Sequence, residues 1–144
     1  MLLSGYRFLI ADDDEDLREI FVESLESMGA EVIGVESGRR GLAVYQENGG
    51  DFDAVVSDMR MPDGDGIEFA TGVKKFELED DRKKSGRSHR PVFVVYSGYN
   101  DLTPEKCKAA DILTVFPKPM SLEQLARDVL KLIAVAKAQQ AGAA

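Results

Sequence analysis

Three consecutive aspartates, Asp12, Asp13 and Asp14, directly follow a short apolar run, and a further one, Asp58, follows another. Ser97 and Lys118 stand at the ends of two more such runs. Carboxylates gathered in one place repel and raise one another's pKa unless a cation sits among them. An all-oxygen ligand set suits a hard divalent ion, and a set that leaves positions to water or phosphate suits Mg²⁺. Beside such an ion, one carboxylate can attack a phosphoryl group to form an acyl phosphate. A nearby ammonium and hydroxyl, Lys118 and Ser97, would balance charge on the phosphoryl oxygens. Phosphoryl transfer is the chemistry this set supports best.

That chemistry requires the six residues to share one rim, so the elements between them matter. Arg7 to Ala11 is a strand-like run, and from Glu15 the apolar residues Leu17, Ile20, Phe21, Leu25 and Met28 follow helical spacing up to Gly29. Glu31 to Val35 reads as a second strand, and Ser37 as the N-cap of a helix ending near Gly49. Phe52 to Ser57 is a third strand, followed by turn-rich MPDGDG and a helix carrying Ile67, Ala70, Val73 and Phe76. Pro91 to Tyr96 is apolar throughout, as a strand covered on both faces should be. A short helix near Pro104 to Ala110, a strand Ile112 to Phe116 and a last helix opened by Ser121 complete the chain. The last helix would bury Leu122, Leu125, Val129, Leu132 and Ile133, with a frayed tail from Gln139.

Five β–α alternations imply an α/β doubly wound, five-stranded parallel sheet with five helices, and 2-1-3-4-5 is a common order. Ligands of such sheets bind beyond the carboxyl ends of the strands, which is where the four aspartates, Ser97 and Lys118 fall.

The composition agrees. A chain of 144 residues suits one domain able to bury about two-thirds of its unfolded surface. With 26 acidic against 18 basic residues and a net charge of −8, neither nucleic acid nor an anionic membrane is the expected partner. One cysteine, Cys107, excludes an internal disulfide and fits a reducing compartment. No secretory signal or membrane-length apolar run is present, so a cytoplasmic location is expected.

The motifs LIADDDEDLR, VVSDMRMPDGDG, VVYSG and FPKP, in this order and each at a strand end, carry a resemblance over about Arg7 to Lys137. The chain resembles the receiver domain of two-component response regulators, a flavodoxin-like fold typified by the chemotaxis receivers. The resemblance implies a phosphoacceptor, Asp58, that takes its phosphoryl group from a sensor histidine kinase or phosphotransfer protein. It implies Mg²⁺ held by Asp13, Asp58 and the backbone carbonyl of Arg60, with Asp12 acting mainly through water. Ser97 and Lys118 would contact the phosphoryl group, the Lys118–Pro119 bond would be cis, and Gly66 would permit a tight turn. A downstream protein would read the strand 4–helix 4–strand 5 face. Catalysis would extend no further than self-phosphorylation and autodephosphorylation.

The sequence departs from that family at three places. Receivers commonly carry Tyr or Phe three residues before the lysine, where Val115 stands here with Phe116 beside it. The Gly-Ala pair ahead of strand five is replaced by Ala109, Ala110 and Asp111, and the charged stretch EDDRKKSGRSHR, residues 79–90, lengthens the connection to strand four. Without an aromatic at Val115, a switch would fall to the backbone, to Tyr99 or to Phe116, or be weak.

Plainer roles are expected elsewhere. Asp14 reads as a cap, Asp63 and Asp65 as turn residues, His89, Arg39 and Arg40 as solvated, and Cys107 as a small helix residue. A dehalogenase-type aspartyl-phosphate phosphatase would need Thr or Val where Asp16 stands, and a calcium loop would need Gly where Leu17 stands. Too little chain follows Pro119 for an output domain, which leaves a single domain over 1–144: a stand-alone receiver, or one excised from a hybrid kinase or larger regulator.

Overall fold

A computed structural model describes residues 1–79, 89–98 and 101–142, with side chains up to residue 139. Among the described residues ten elements alternate: β1 Arg7–Ala11, α1 Glu15–Ser27, β2 Glu31–Val35, α2 Gly38–Glu47, β3 Ala54–Ser57, α3 Gly66–Glu77, β4 Val92–Ser97, α4 Pro104–Ala109, β5 Thr114–Pro117 and α5 Leu122–Gly142. All four strand pairings are parallel, in the order β2-β1-β3-β4-β5. The doubly wound sheet expected from the alternation is therefore the fold. Helices start where their caps sit. Asp14, Ser37, Asp65 and Thr103 each accept a backbone N–H from three residues on.

Side chains alternate across the sheet and divide the core in two. Phe93 and Val95 of β4 pack with Tyr45, Phe69, Val73 and Phe76 beneath α2 and α3. Val92 and Val94 pack with Phe21, Leu25, Leu125, Val129 and Ile133 beneath α1 and α5. In α1 only Phe21 and Leu25 of the periodic set are buried, while Leu17 and Ile20 remain exposed.

The structure adds to the sequence reading and departs from it at several places. Leu3, ahead of β1, is fully buried in the α1–α5 core, and its N–H donates to Met28 O at 2.8 Å. The β5 strand starts two residues later than Ile112, because Asp111 takes a positive φ of 56° and the Ile112 N–H still closes α4 onto Cys107 O. Helix α5 runs on to Gly142, into the stretch 139–144 expected to fray, of which residues 143 and 144 lie outside the described residues. Of the charged stretch 79–90, residues 80–88 lie outside the described residues, as does Tyr99.

His89 departs furthest from expectation. Far from solvated, it is 5% exposed, with Nε2 2.8 Å from Asp53 Oδ1 and Nδ1 2.6 Å from Arg90 O. Asp53 Oδ2 meanwhile accepts the Arg7 N–H at 2.8 Å, so the pair ties together the amino ends of β1, β3 and β4. The oxygen partners on both ring nitrogens explain why a polar ring tolerates burial here. Replacing it takes the donor from Asp53 Oδ1, whose side chain is 20% exposed, so the cost falls at the lower end of that for an unmet acceptor, about 1 kcal/mol. Urea unfolding of His89→Ala should show a loss of that size. A change within about 0.5 kcal/mol, as at ordinary surface positions, would contradict the pairing.

Candidate functional site

The carboxyl ends of β1, β3, β4 and β5 converge. Asp12 follows β1; its N–H donates to Val35 O at 3.0 Å, and its side chain is buried. Its Oδ1 accepts the Asp14 N–H at 2.9 Å, and Arg18 Nη1 donates to its carbonyl at 2.8 Å. The DDD run thus splits three ways: Asp12 is buried and anchored, Asp13 is exposed, and Asp14 caps α1.

Asp58 follows β3 and is anchored across the sheet by its N–H, which donates to Ala11 O at 2.8 Å. Its Oδ1 accepts the Met59 N–H at 2.7 Å, and its Oδ2 faces Lys118. Gly66 matters here for closeness rather than turn freedom, which corrects the expected role. It carries no positive φ, but a Cβ on it would meet the Asp58 carbonyl oxygen at 2.8 Å and Met59 Cα at 3.2 Å. The start of α3 can therefore lie directly on the backbone of Asp58.

Lys118 enters from the far side of the sheet after β5. Its Nζ donates to Asp12 Oδ2 at 3.1 Å and to Asp58 Oδ2 at 3.2 Å. Burial of the ammonium works to lower its pKa, but attraction to Asp58 and Asp12 and the hydrogen bonds to both outweigh it, and the net shift is upward. The lysine is firmly cationic. The Lys118–Pro119 bond is cis. Ser97, at the end of β4, is buried, and its carbonyl accepts the Lys118 N–H at 3.1 Å.

Carboxylate oxygens of Asp12, Asp13 and Asp58 all lie within 4.8 Å of one another. Three carboxylates against one ammonium leave excess negative charge, and the donor set contains oxygen alone, with neither sulfur nor imidazole. Such a set fits a hard divalent cation of the Mg²⁺ kind. Arg60 lies two residues beyond Asp58, with its exposed guanidinium 3.7 Å from Asp101. Asp63 and Asp65 stay out of the cluster: Asp63 pairs with Arg39 and Asp65 caps α3.

Residues 8–130 match the family described as the response regulator receiver domain. The chain belongs to that family. This receiver is 34% identical over 134 residues to sensor kinase CckA of Brucella abortus, covering 91% of the receiver chain and 13% of the kinase. It is 29% identical over 140 residues to Histidine kinase 3 of Arabidopsis thaliana, again covering 13% of that protein. The chain therefore spans a small part of these relatives. Among solved structures, a receiver domain from Clostridium thermocellum has a TM-score of 0.77 at 22% identity, covering 93% of this chain and 98% of that one. A CheY-like receiver from Methylobacillus flagellatus has a TM-score of 0.69 at 28% identity, covering 91% and 98%. The chain is thus a receiver domain of two-component systems.

Two features of the receiver's site were not read from its sequence. One is Arg18, whose reach to the Asp12 carbonyl had no local signal. The other is Tyr96, hidden in a continuous apolar run, whose ring lies 5.2 Å from Lys118 Nζ. Phe116 is already buried, among the residues beneath α1 and α5, while Val115 packs on the opposite face.

Proposed function

We propose that Asp58 is the residue that takes the phosphoryl group, with Asp12, Asp13, Asp58 and the Arg60 carbonyl holding Mg²⁺ beside it. The observation that carries this reading is the Lys118 ammonium bridging Asp12 and Asp58 at 3.1 and 3.2 Å within the three-carboxylate cluster. In the transfer, an Asp58 carboxylate oxygen forms a bond to phosphorus as the P–N bond of a phosphohistidine breaks, and the imidazole leaves with the electron pair. The bound cation would supply charge neutralisation on the phosphoryl oxygens. Lys118 stands where one ammonium can pair those oxygens without leaving Asp12. Ser97, buried at the end of β4, is the hydroxyl expected to reach them as the group arrives.

The donor would be a sensor histidine kinase or phosphotransfer protein, and the protein would act as acceptor and self-dephosphorylating switch rather than as an enzyme on a separate substrate. No described helix is long and apolar enough to cross a membrane; the acidic charge and the single cysteine support work in the cytoplasm on protein partners. The single sheet with two cores supports one receiver unit, free-standing or part of a hybrid kinase. The β4–α4–β5 face would carry the readout, driven by the backbone around Ser97 because Val115 has no ring to swing.

Acetyl phosphate with Mg²⁺ should add one phosphoryl group per chain by intact mass. Beryllofluoride, standing in for the phosphoryl group, should shift amide resonances through Gly98 and on to Phe116. A protein that takes no label would overturn the acceptor role. Shifts confined to Asp12, Asp13, Asp58 and their neighbours would overturn the readout face.

A further inference from the structure

The two last residues of β4 face opposite ways. Ser97 falls on the side of Phe93 and Val95, while Tyr96 packs with Val92 and Val94 against the α1–α5 layer. There the ring meets Phe21 of α1 edge-on, with centroids 5.6 Å apart at 68°. Its hydroxyl grips the loop after β5: Oη accepts the Met120 N–H at 3.1 Å and donates to the Met120 carbonyl at 3.3 Å. Met120 lies ahead of the first turn of α5, so no intrahelical hydrogen bond serves these two groups. Two residues before Met120, the ammonium of Lys118 lies 5.2 Å from the centroid of the same ring.

One side chain therefore touches Lys118 twice, directly through its ring and indirectly through the loop that carries the lysine. Lysine is a compact charge on a flexible stem, so its position is only as good as what surrounds it. Asp12 and Asp58 hold the ammonium from the metal side. The ring of Tyr96 backs it from the α1–α5 side, itself wedged by Phe21.

Building on the proposed transfer to Asp58, we infer that Tyr96 is a positioning residue that holds Lys118 where it can pair the phosphoryl oxygens. It replaces nothing at Val115, which lies on the other face of the sheet. It works through Met120 and the ring–ammonium contact, and it does not touch the transferred group. Tyr96→Phe keeps the ring and its packing but leaves both Met120 groups without the hydroxyl. Tyr96→Leu removes both contacts.

The test uses the full chain, acetyl phosphate and Mg²⁺, with each Tyr96 variant made alone and in a Lys118→Ala background. Labelling of Tyr96→Phe should slow about tenfold, as the ammonium loses the loop anchor that both Met120 groups give through the hydroxyl. Tyr96→Leu should slow further, and the Mg²⁺ dissociation constant should stay unchanged in both. In the Lys118→Ala background neither substitution should slow labelling again, because the effect passes through the lysine. Wild-type rates in Tyr96→Phe, or an equal loss with and without Lys118, would overturn the inference. If wild-type protein takes no label, the phosphoacceptor reading fails separately, and the side-chain resonances of Lys118 then decide the positioning role. They move in Tyr96→Leu if the ring holds the ammonium, and they stay in place if it does not.

Discussion

Asp58→Asn should take no phosphoryl group from acetyl phosphate and Mg²⁺, at any incubation time, while remaining folded. The amide matches the carboxylate in shape but has no anionic oxygen to attack phosphorus, so the loss is of the nucleophile itself. The packing around it persists. The Met59 N–H can still donate to the side-chain oxygen, and the Asp58 N–H still anchors the residue to Ala11. Lys118 loses one of its two anionic partners but keeps Asp12. The surviving carboxylates repel less once the third is neutral, which offsets part of that loss, so stability should stay within about 1 kcal/mol of wild type. Intact mass after labelling, alongside urea unfolding, checks both statements. Stoichiometric labelling of the variant would remove Asp58 from its role.

Chelation with EDTA should have the second-largest effect, reducing labelling to background. Asp12, Asp13 and Asp58 crowd their oxygens within 4.8 Å, and Lys118 alone does not balance them. A cation binding only the folded arrangement must also stabilise it. At ten times its dissociation constant, Mg²⁺ should add about 1.4 kcal/mol, a rise of a few degrees in Tm for a domain of this size. Asp13 allows the clearest separation of metal from fold, since it is exposed and supports neither the sheet nor the α1 cap. Asp13→Ala should unfold at or slightly above the wild-type temperature without Mg²⁺, because one repelling carboxylate is gone, and should lose most of the Mg²⁺-induced rise. A Tm indifferent to Mg²⁺ in the wild-type chain, with undiminished labelling under EDTA, would contradict the metal site.

What could be read without the structure was what the chain signals locally. Ser37 and Asp14 announce their helices because a capping oxygen acts on a backbone N–H only three residues away. Apolar runs stopped by Asp12 and Asp58, alternating with helical periodicity, suffice for a parallel sheet with its chemistry at one rim. Residues whose roles depend on distant partners were illegible. His89 sits in a charged stretch, and nothing nearby shows that Asp53 will receive it. Leu3 precedes a strand and finds its place only against α1 and α5. Tyr96 belongs to a run apolar at every position, so its face, and with it the contact to Lys118, is undefined until α1 and α5 are in place. At Gly66 the residue type was legible but the reason was not, because the limiting contact is with the Asp58 backbone rather than with its own φ.

Borohydride reduction of the labelled protein tests the central claim most directly, because it converts an aspartyl phosphate to homoserine and so marks the residue that carried the bond. After acetyl phosphate and Mg²⁺, peptide mapping should find homoserine at position 58 and aspartate intact at 12 and 13. Homoserine at Asp12 or Asp13 with none at position 58, or a phosphoryl group that leaves every aspartate unreduced, would contradict it.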